Sequence, residues 1–294
     1  MISLSGALRA AGSTREATAY QRLTLNELEA SGYGPTDIFA NVVSALTSAL
    51  FELGELAAVD SVVSSVIRNQ MKQGAHSSAV LYSLAGIASL RMGELDSASA
   101  RFEHARRDTT EGAGGLISYL APATTQLHLE RGHAAEARES IGRLPSGTLI
   151  RRANRAWFTA WTRYLEGDVR GATSMLEDSL RAIRGDGPRP PPSLAMPYVT
   201  AAEWRLAAGD ARTADSLALL GRAAAAVDSL ALDRSAYVGR AELVRARALA
   251  ALGMPAEAHR AAERAAVAMS NGNGPRNART LNAIALRDSL SHSP

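Results

Sequence analysis

The sequence contains no cysteine, a single lysine, few aromatic residues and no long apolar run. Without cysteine the chain can form no disulfide, thiolate metal site or cysteine nucleophile. Aromatic residues make up only 5% of the 294 residues, while hydrophobic residues reach 46% and include a heavy load of alanine. Alanine favours helices and lets their backbones approach, whereas sheets favour β-branched and aromatic residues. The composition therefore predicts closely packed helices.

Membrane and secretory segments are not evident in the sequence. The longest uncharged helical-looking run, from Ile38 to Phe51, is shorter than the about 20 residues that a spanning helix needs. The first residues, Met1–Ala11, lack the basic start and apolar stretch of a secretory signal. We therefore expect a cytoplasmic protein with no membrane partner.

The charge is nearly balanced at +3, and Lys72 is the only lysine, so almost every base is arginine. Guanidinium forks bind phosphate and carboxylate, although a GC-rich genome would also supply both arginine and alanine. Because acidic residues almost offset the arginines, we do not expect a nucleic-acid partner.

A glycine followed five residues later by a small residue recurs seven times. The pairs are Gly12/Ala17, Gly54/Val59, Gly93/Ala98, Gly132/Ala137, Gly167/Ala172, Gly209/Ala214 and Gly253/Ala258. Successive glycines are 35 to 44 residues apart, and two stretches with helical apolar spacing lie between them. Each unit is therefore predicted to be a helix, a tight turn at the glycine and a second helix.

The residue seven positions before each glycine is also small. This column contains Ser5, Thr47, Gly86, Thr125, Ala160, Ala202 and Ala246. Two helices cross closely only where small side chains meet, so we expect this column to contact the one that follows the turn. The positions nine after and three before each glycine are mostly apolar and are predicted to fill the seams between units.

One unit, Ala79–Thr110, carries the fullest pattern of an aromatic residue, small residues and a turn glycine. Its matching residues are Tyr82, Ala85, Gly86, Gly93, Ala98, Phe102 and Ala105. This pattern resembles a tetratricopeptide repeat. The spacings mostly exceed that family's 34 residues, the closing proline is missing, and Arg245 stands where a large apolar residue belongs. Related helical-hairpin repeats therefore remain an alternative.

The resemblance implies an all-α, right-handed superhelical solenoid of about seven helical hairpins over residues 1–294. A helix at about 275–290, with Leu281, Ile284 and Leu286 on its apolar face, is predicted to cap it after a turn at Ser270–Pro275. The proline-rich Gly185–Ser193 is predicted to be an extended linker and a hinge between two sub-blocks, and Thr109–Gly115 an inter-repeat loop. Met1 falls just inside the first unit, which is consistent with either a fragment of a larger protein or a frayed first helix.

No catalytic constellation is evident, so we expect neither an enzyme nor a bound metal or cofactor. The nearest histidines, His128 and His133, straddle a turn glycine rather than sharing a helical face. Asp-Ser pairs recur, but we interpret them as helix-surface residues rather than as a motif. An enzyme with a site inside the superhelix remains an alternative.

The resemblance also implies that the first helices line a concave groove. In the fifth unit the inward positions would be Asn154, Trp157, Trp161 and Tyr164, with Arg151, Arg152 and Arg155 around them. Exposed aromatic residues beside arginine are typical of binding hot spots. We therefore predict a protein-interaction scaffold that binds an acidic or aromatic-containing peptide or protein here. The alternative is that Trp157 and Trp161 are core residues.

Charge is distributed unevenly, with a balance of −4 over residues 1–60 and +5 over residues 131–163. This asymmetry makes head-to-tail self-association a further hypothesis, weakened by salt screening. A different functional alternative is a regulatory or sensor segment of a larger bacterial signalling protein, for example one following a serine/threonine kinase domain.

Overall fold

A computed structural model describes residues 2–31, 37–72, 79–107, 114–144, 147–184 and 189–291. Throughout these ranges every regular element is a helix, which confirms the predicted all-α class. The helices form two compact units, Met1–Thr110 and Glu111–Pro294. None of the helices within the described ranges is both long and apolar enough to cross a bilayer.

The first unit consists of three helical hairpins, and consecutive hairpins pack through α2 against α3 and through α4 against α5. The helices are α1 (Ile2–Ala10), α2 (Thr14–Ala30), α3 (Asp37–Leu53), α4 (Leu56–Lys72), α5 (Ala79–Met92) and α6 (Leu95–Arg107).

Over its described residues, the second unit contains four hairpins, one 3-10 helix at Pro192–Leu194, a short connecting helix and a last single helix. In chain order the α-helices are α7 (Gly114–Glu130), α8 (Ala134–Gly142), α9 (Leu149–Leu165), α10 (Val169–Arg184), α11 (Ala195–Ala207), α12 (Ala211–Ala225), α13 (Ala231–Arg234), α14 (Ala236–Ala251), α15 (Pro255–Asn273) and α16 (Ala278–Ser291). The hairpins are α7–α8, α9–α10, α11–α12 and α14–α15, and each packs on the next.

All seven predicted turn glycines adopt positive φ, between 73° and 93°, at the break between two helices. The glycine N–H donates to the carbonyl three residues back, and the next N–H donates to the carbonyl five residues before it. In the third hairpin, for example, the N–O distances are 3.0 Å from Gly93 to Leu90 and 2.8 Å from Glu94 to Ser89. This pair of bonds satisfies carbonyls that the helix end leaves open. The predicted seven hairpins are therefore confirmed at their turns.

Both predicted small-residue columns are buried where they were expected to meet. Gly86 shows why size matters there, because a Cβ atom on it would lie 2.5 Å from the Phe102 ring. Small side chains thus permit the two helices of a hairpin to cross closely.

The last helix begins and packs somewhat differently from the prediction. The predicted turn at 270–273 is wrong, because α15 continues to Asn273 and the break falls at Gly274. The Cβ that Gly272 lacks would collide with the Ala236 backbone, so this extension packs closely on the start of α14. In α16, Leu286 and Leu290 contact the α14–α15 core, whereas Leu281 is exposed.

The two predicted linkers lie partly outside the described residues. Residues 185–188 are not described, but Pro191 is extended and Pro192 already begins the 3-10 helix, so the linker is shorter than predicted. Leu194 shares one core with Trp157 and Leu180, which lie before the linker. The prediction of a hinge concerns motion and stays a prediction. In the other segment, Gly114 and Gly115 belong to α7, and residues 109–113 lie outside the described ranges.

Candidate functional site

The predicted site lies on α9, whose start is fixed by the Thr148 hydroxyl, which accepts a hydrogen bond of 3.2 Å from the Arg151 N–H. A side chain at this position satisfies one of the helix's open N–H groups. Successive side chains on a helix are rotated by about 100°, so the rotation decides which predicted site residues share a face.

Trp157 is a core residue in this structure, with 5% of its surface exposed. Its indole N–H donates to the Thr200 hydroxyl on α11 at 3.1 Å. Its ring contacts those of Phe158 and Trp161 at centroid distances of 5.0 and 5.6 Å. Of the two roles considered for this residue, core packing is therefore the one observed, and Trp157 is not an exposed anchor.

Trp161 and Tyr164 are half-buried at the edge of the same core. The Tyr164 ring stacks on Trp204 of α11, with centroids 4.4 Å apart and planes 9° from parallel. Because Trp157 meets Thr200 and Tyr164 meets Trp204, α9 and α11 run side by side in the same direction. The two partly exposed rings, Trp161 and Tyr164, therefore both lie on α9, and Trp204 of α11 is buried behind Tyr164.

The arginines around this surface point in different directions. Arg151 and Asn154 precede Trp161 by ten and seven residues, which places them within about 80° and 20° of it around the helix. Arg152 precedes it by nine residues and lies on the opposite side, about 180° away. Arg155 donates to the Leu144 carbonyl, two residues after the end of α8, and so helps to hold the α8–α9 connection. Rotation along α9 thus places Arg151 and Asn154, but not Arg152, on the same side as Trp161, while Arg155 is bonded to Leu144.

Much of the positive charge predicted here is already paired. Arg138 contacts Glu166, Arg143 contacts Glu139, and Arg163 contacts Asp168 at 2.5 Å. The Gly171 N–H and the Arg163 guanidinium hold the pKa of Asp168 below its usual value. Glu166 and Asp168 lie just beyond residues 131–163, over which the charge balance of +5 was counted. The local excess of positive charge is therefore smaller than that count indicated.

No protein family model matches the chain, and no curated protein matches it. The tetratricopeptide resemblance therefore rests on the repeat within this chain alone.

Ion pairs between hairpins are the main polar feature that sequence reasoning missed. Asp60 and Asp215, each in an Asp-Ser pair, accept from Arg101 at 2.5 Å and from Arg245 at 2.9 Å. Both acids lie six residues after a turn glycine, which is the signal that could have identified them. Glu177 likewise accepts two bonds from Arg205, at 2.6 and 2.7 Å. These acids form ion pairs between neighbouring hairpins and are not merely solvated surface residues.

Four charged side chains from separate helices approach one another in the second unit. Arg279 of α16 donates to Glu130 of α7 at 3.4 Å, and Arg240 of α14 donates to Glu203 of α11 at the same distance. Burial and the nearby Arg240 charge lower the pKa of Arg279 to about 10, against the opposing effect of Glu130 and Glu203. Arg279 therefore remains charged at neutral pH.

Metal-binding chemistry is not apparent in the described ranges, where no three His, Asp or Glu side chains group as metal ligands. The rings of His128 and His133 are 6.4 Å apart and tilted.

Proposed function

We propose that this chain is a protein-interaction scaffold, a divergent tetratricopeptide-like solenoid whose groove holds a segment of a partner protein. The observation that carries the proposal is the half-buried aromatic surface of Trp161 and Tyr164 on α9, where Tyr164 stacks on the buried Trp204 of α11. Rings of this kind offer contact area at a small entropic cost, and partly buried aromatic residues with arginine nearby are enriched at binding hot spots.

The partner segment that fits this surface is acidic or carries an aromatic side chain. Arg151 and Asn154 lie on the same side of α9 as Trp161, and Arg151 is exposed. A guanidinium group can form two parallel hydrogen bonds to a carboxylate, and the indole face can pack against a ring or an aliphatic side-chain segment. Trp157 supports this surface from below through its bond to Thr200 and does not itself contact the partner.

The test compares Arg151 and Arg152, two neighbouring arginines that differ mainly in the face of α9 on which they lie. We expect Arg151→Gln and Trp161→Ala each to weaken partner binding about tenfold or more, because both remove groups from one face. Arg152→Gln, on the opposite face of the same exposed turn, is the matched control and should bind as the wild type does. Circular dichroism should first establish that all variants are equally helical.

The measurement is quantitative mass spectrometry of proteins captured from a source lysate, repeated by titration of the captured partner's binding segment. A partner retained by wild type and Arg152→Gln but lost by the other two variants would support the proposal. Equal capture by all four proteins would contradict it, since binding would then not involve this face of α9.

A further inference from the structure

Charged residues occupy two positions in the last hairpin that are uncharged in the other hairpins. Eleven residues before the turn glycine, the described hairpins carry Val43, Tyr82, Ala121, Ala156 and Tyr198, and the last one carries Glu242. Eight residues before it they carry leucine, alanine or threonine, and the last one carries Arg245. Glu242 is fully buried on α14. A polar network thus replaces apolar packing at this one place.

Three guanidinium groups surround the Glu242 carboxylate. Its Oε1 lies 2.7 Å from Arg222 Nε of α12 and 3.1 Å from Arg264 Nε of α15. Its Oε2 accepts from Arg264 Nη2 at 3.0 Å and from Arg245 Nη1 at 3.3 Å. Because two guanidinium groups approach the same oxygen, Arg222 and Arg264 lie next to each other.

The charges in this cluster do not cancel. Among the described residues, the one other acid bonded into it is Asp215, which accepts from Arg245, so three cations face two anions. Buried ionic networks are seldom more stable than apolar packing of the same volume. A local departure from an otherwise consistent pattern is where functional sites are expected.

Unused hydrogen-bond donors remain on the two outer arginines. Arg222 Nε lies 2.7 Å from Glu242 Oε1 but is not aligned to form a hydrogen bond with it. The Arg222 guanidinium donates no hydrogen bond to the described part of the chain. Arg264 uses Nε and Nη2 on Glu242, and its Nη1 donates to no described residue. Both side chains reach the surface, with 31% and 40% of their area exposed.

We propose that Arg222 and Arg264, held in place by Glu242, form a binding site for an oxyanion where α12, α14 and α15 meet. The oxyanion is a phosphate monoester or a carboxylate. Each presents several acceptor oxygens to adjacent guanidinium forks, which bind such groups in two-pronged fashion. The ligand also offsets the excess positive charge. This site is separate from the α9 surface and does not depend on the proposed function.

Inorganic phosphate and acetate are the probes, titrated against the full chain at constant ionic strength with sodium chloride. We expect phosphate, acetate or both to raise the melting temperature saturably, by about 3 °C at ten times Kd. Arg222→Gln and Arg264→Gln should each weaken the apparent affinity about tenfold. A response to phosphate alone assigns the phosphate class, and a response to acetate assigns the carboxylate class.

Two further variants keep the test decisive. Arg260→Gln removes an exposed arginine of the same helix, which pairs with Glu257, and should leave the response unchanged. Glu242→Gln leaves three cations facing Asp215 alone, so it should lower the melting temperature and enlarge the rise that the anion produces. The proposal is overturned if neither anion exceeds sodium chloride, or if the arginine variants respond as the wild type does.

Discussion

Glycine serves two different physical purposes in this chain. At the seven turns it supplies positive φ, which other residues adopt only with strain. Inside α5, Gly86 has ordinary helical geometry, and what it supplies is space, because an added Cβ would lie 2.5 and 2.6 Å from two carbons of the Phe102 ring. Phe102 is buried within the hairpin, so its ring has little room to move aside.

We therefore expect Gly86→Ala to destabilise the protein by about 1 to 3 kcal/mol, the usual cost of overpacking a core. The matched control is Gly6→Ala in α1, where a Cβ meets nothing within 4 Å. There the helix preference of alanine should stabilise the protein by about 0.5 to 1 kcal/mol. Urea unfolding of both variants measures whether each substitution lowers or raises the free energy of unfolding. A neutral or stabilising Gly86→Ala would show that Phe102 can relax.

Asp210 caps α12 by accepting from the Thr213 N–H at 3.1 Å. Hydrogen bonds from the Thr213 side chain and backbone, with the charge of Arg205, lower its pKa from 3.8. Because the folded-state pKa lies below the unfolded one, its contribution is present above pH 4 and is lost as pH falls through the folded value. We expect Asp210→Ala to cost about 1 kcal/mol at neutral pH. The difference from wild type should shrink below pH 4.

The control for the cap is Asp178→Ala, which removes an exposed carboxylate of α10 paired with Arg181. Such pairs contribute little, so its unfolding curve should follow that of the wild type at every pH. Chemical denaturation at a series of pH values provides the comparison. A gap between wild type and Asp210→Ala that stays constant down to pH 2 would contradict the capping account.

At the scale of elements, the sequence predicts the hairpins because their determinants are local. Each turn needs one glycine, and each crossing needs two small residues at fixed distances from it, so a single repeating pattern contains all three. The short α13 and the extension of α15 to Asn273 lack such a signal. The extension depends on Gly272 packing against Ala236, a contact between residues 36 positions apart.

For the candidate site, too, sequence spacing could predict only what is determined within a single helix, α9. Spacing identified Trp157, Trp161 and Tyr164 as neighbours on a face, and they do contact one another or the same core. Spacing alone could not show that Trp157 faces Thr200 of α11, since that depends on how α9 and α11 are aligned. Burial of the site residues is therefore decided by a neighbouring hairpin.

At the scale of the whole molecule, side chains far apart in sequence become partners. Within the second unit, Arg279 and Glu130 are separated by 149 positions yet join α16 to α7, its last and first helices. No repeat position marks either residue, so sequence patterning could not identify the pair. Arg279 keeps 21% of its side chain exposed, and its charge is incompletely solvated next to Arg240.

This geometry predicts that Glu130 stabilises the second unit mainly by compensating a charge that burial has partly desolvated. Glu130→Gln should destabilise the protein by about 1 to 3 kcal/mol, less than breaking a fully buried pair, and hydrogen exchange should quicken in α16. A double-mutant cycle with Arg279→Gln should give a coupling of about 1 kcal/mol, against almost none for the exposed Arg143–Glu139 pair. If the two couplings are equal, the α7–α16 contact is held by apolar packing and not by this ion pair.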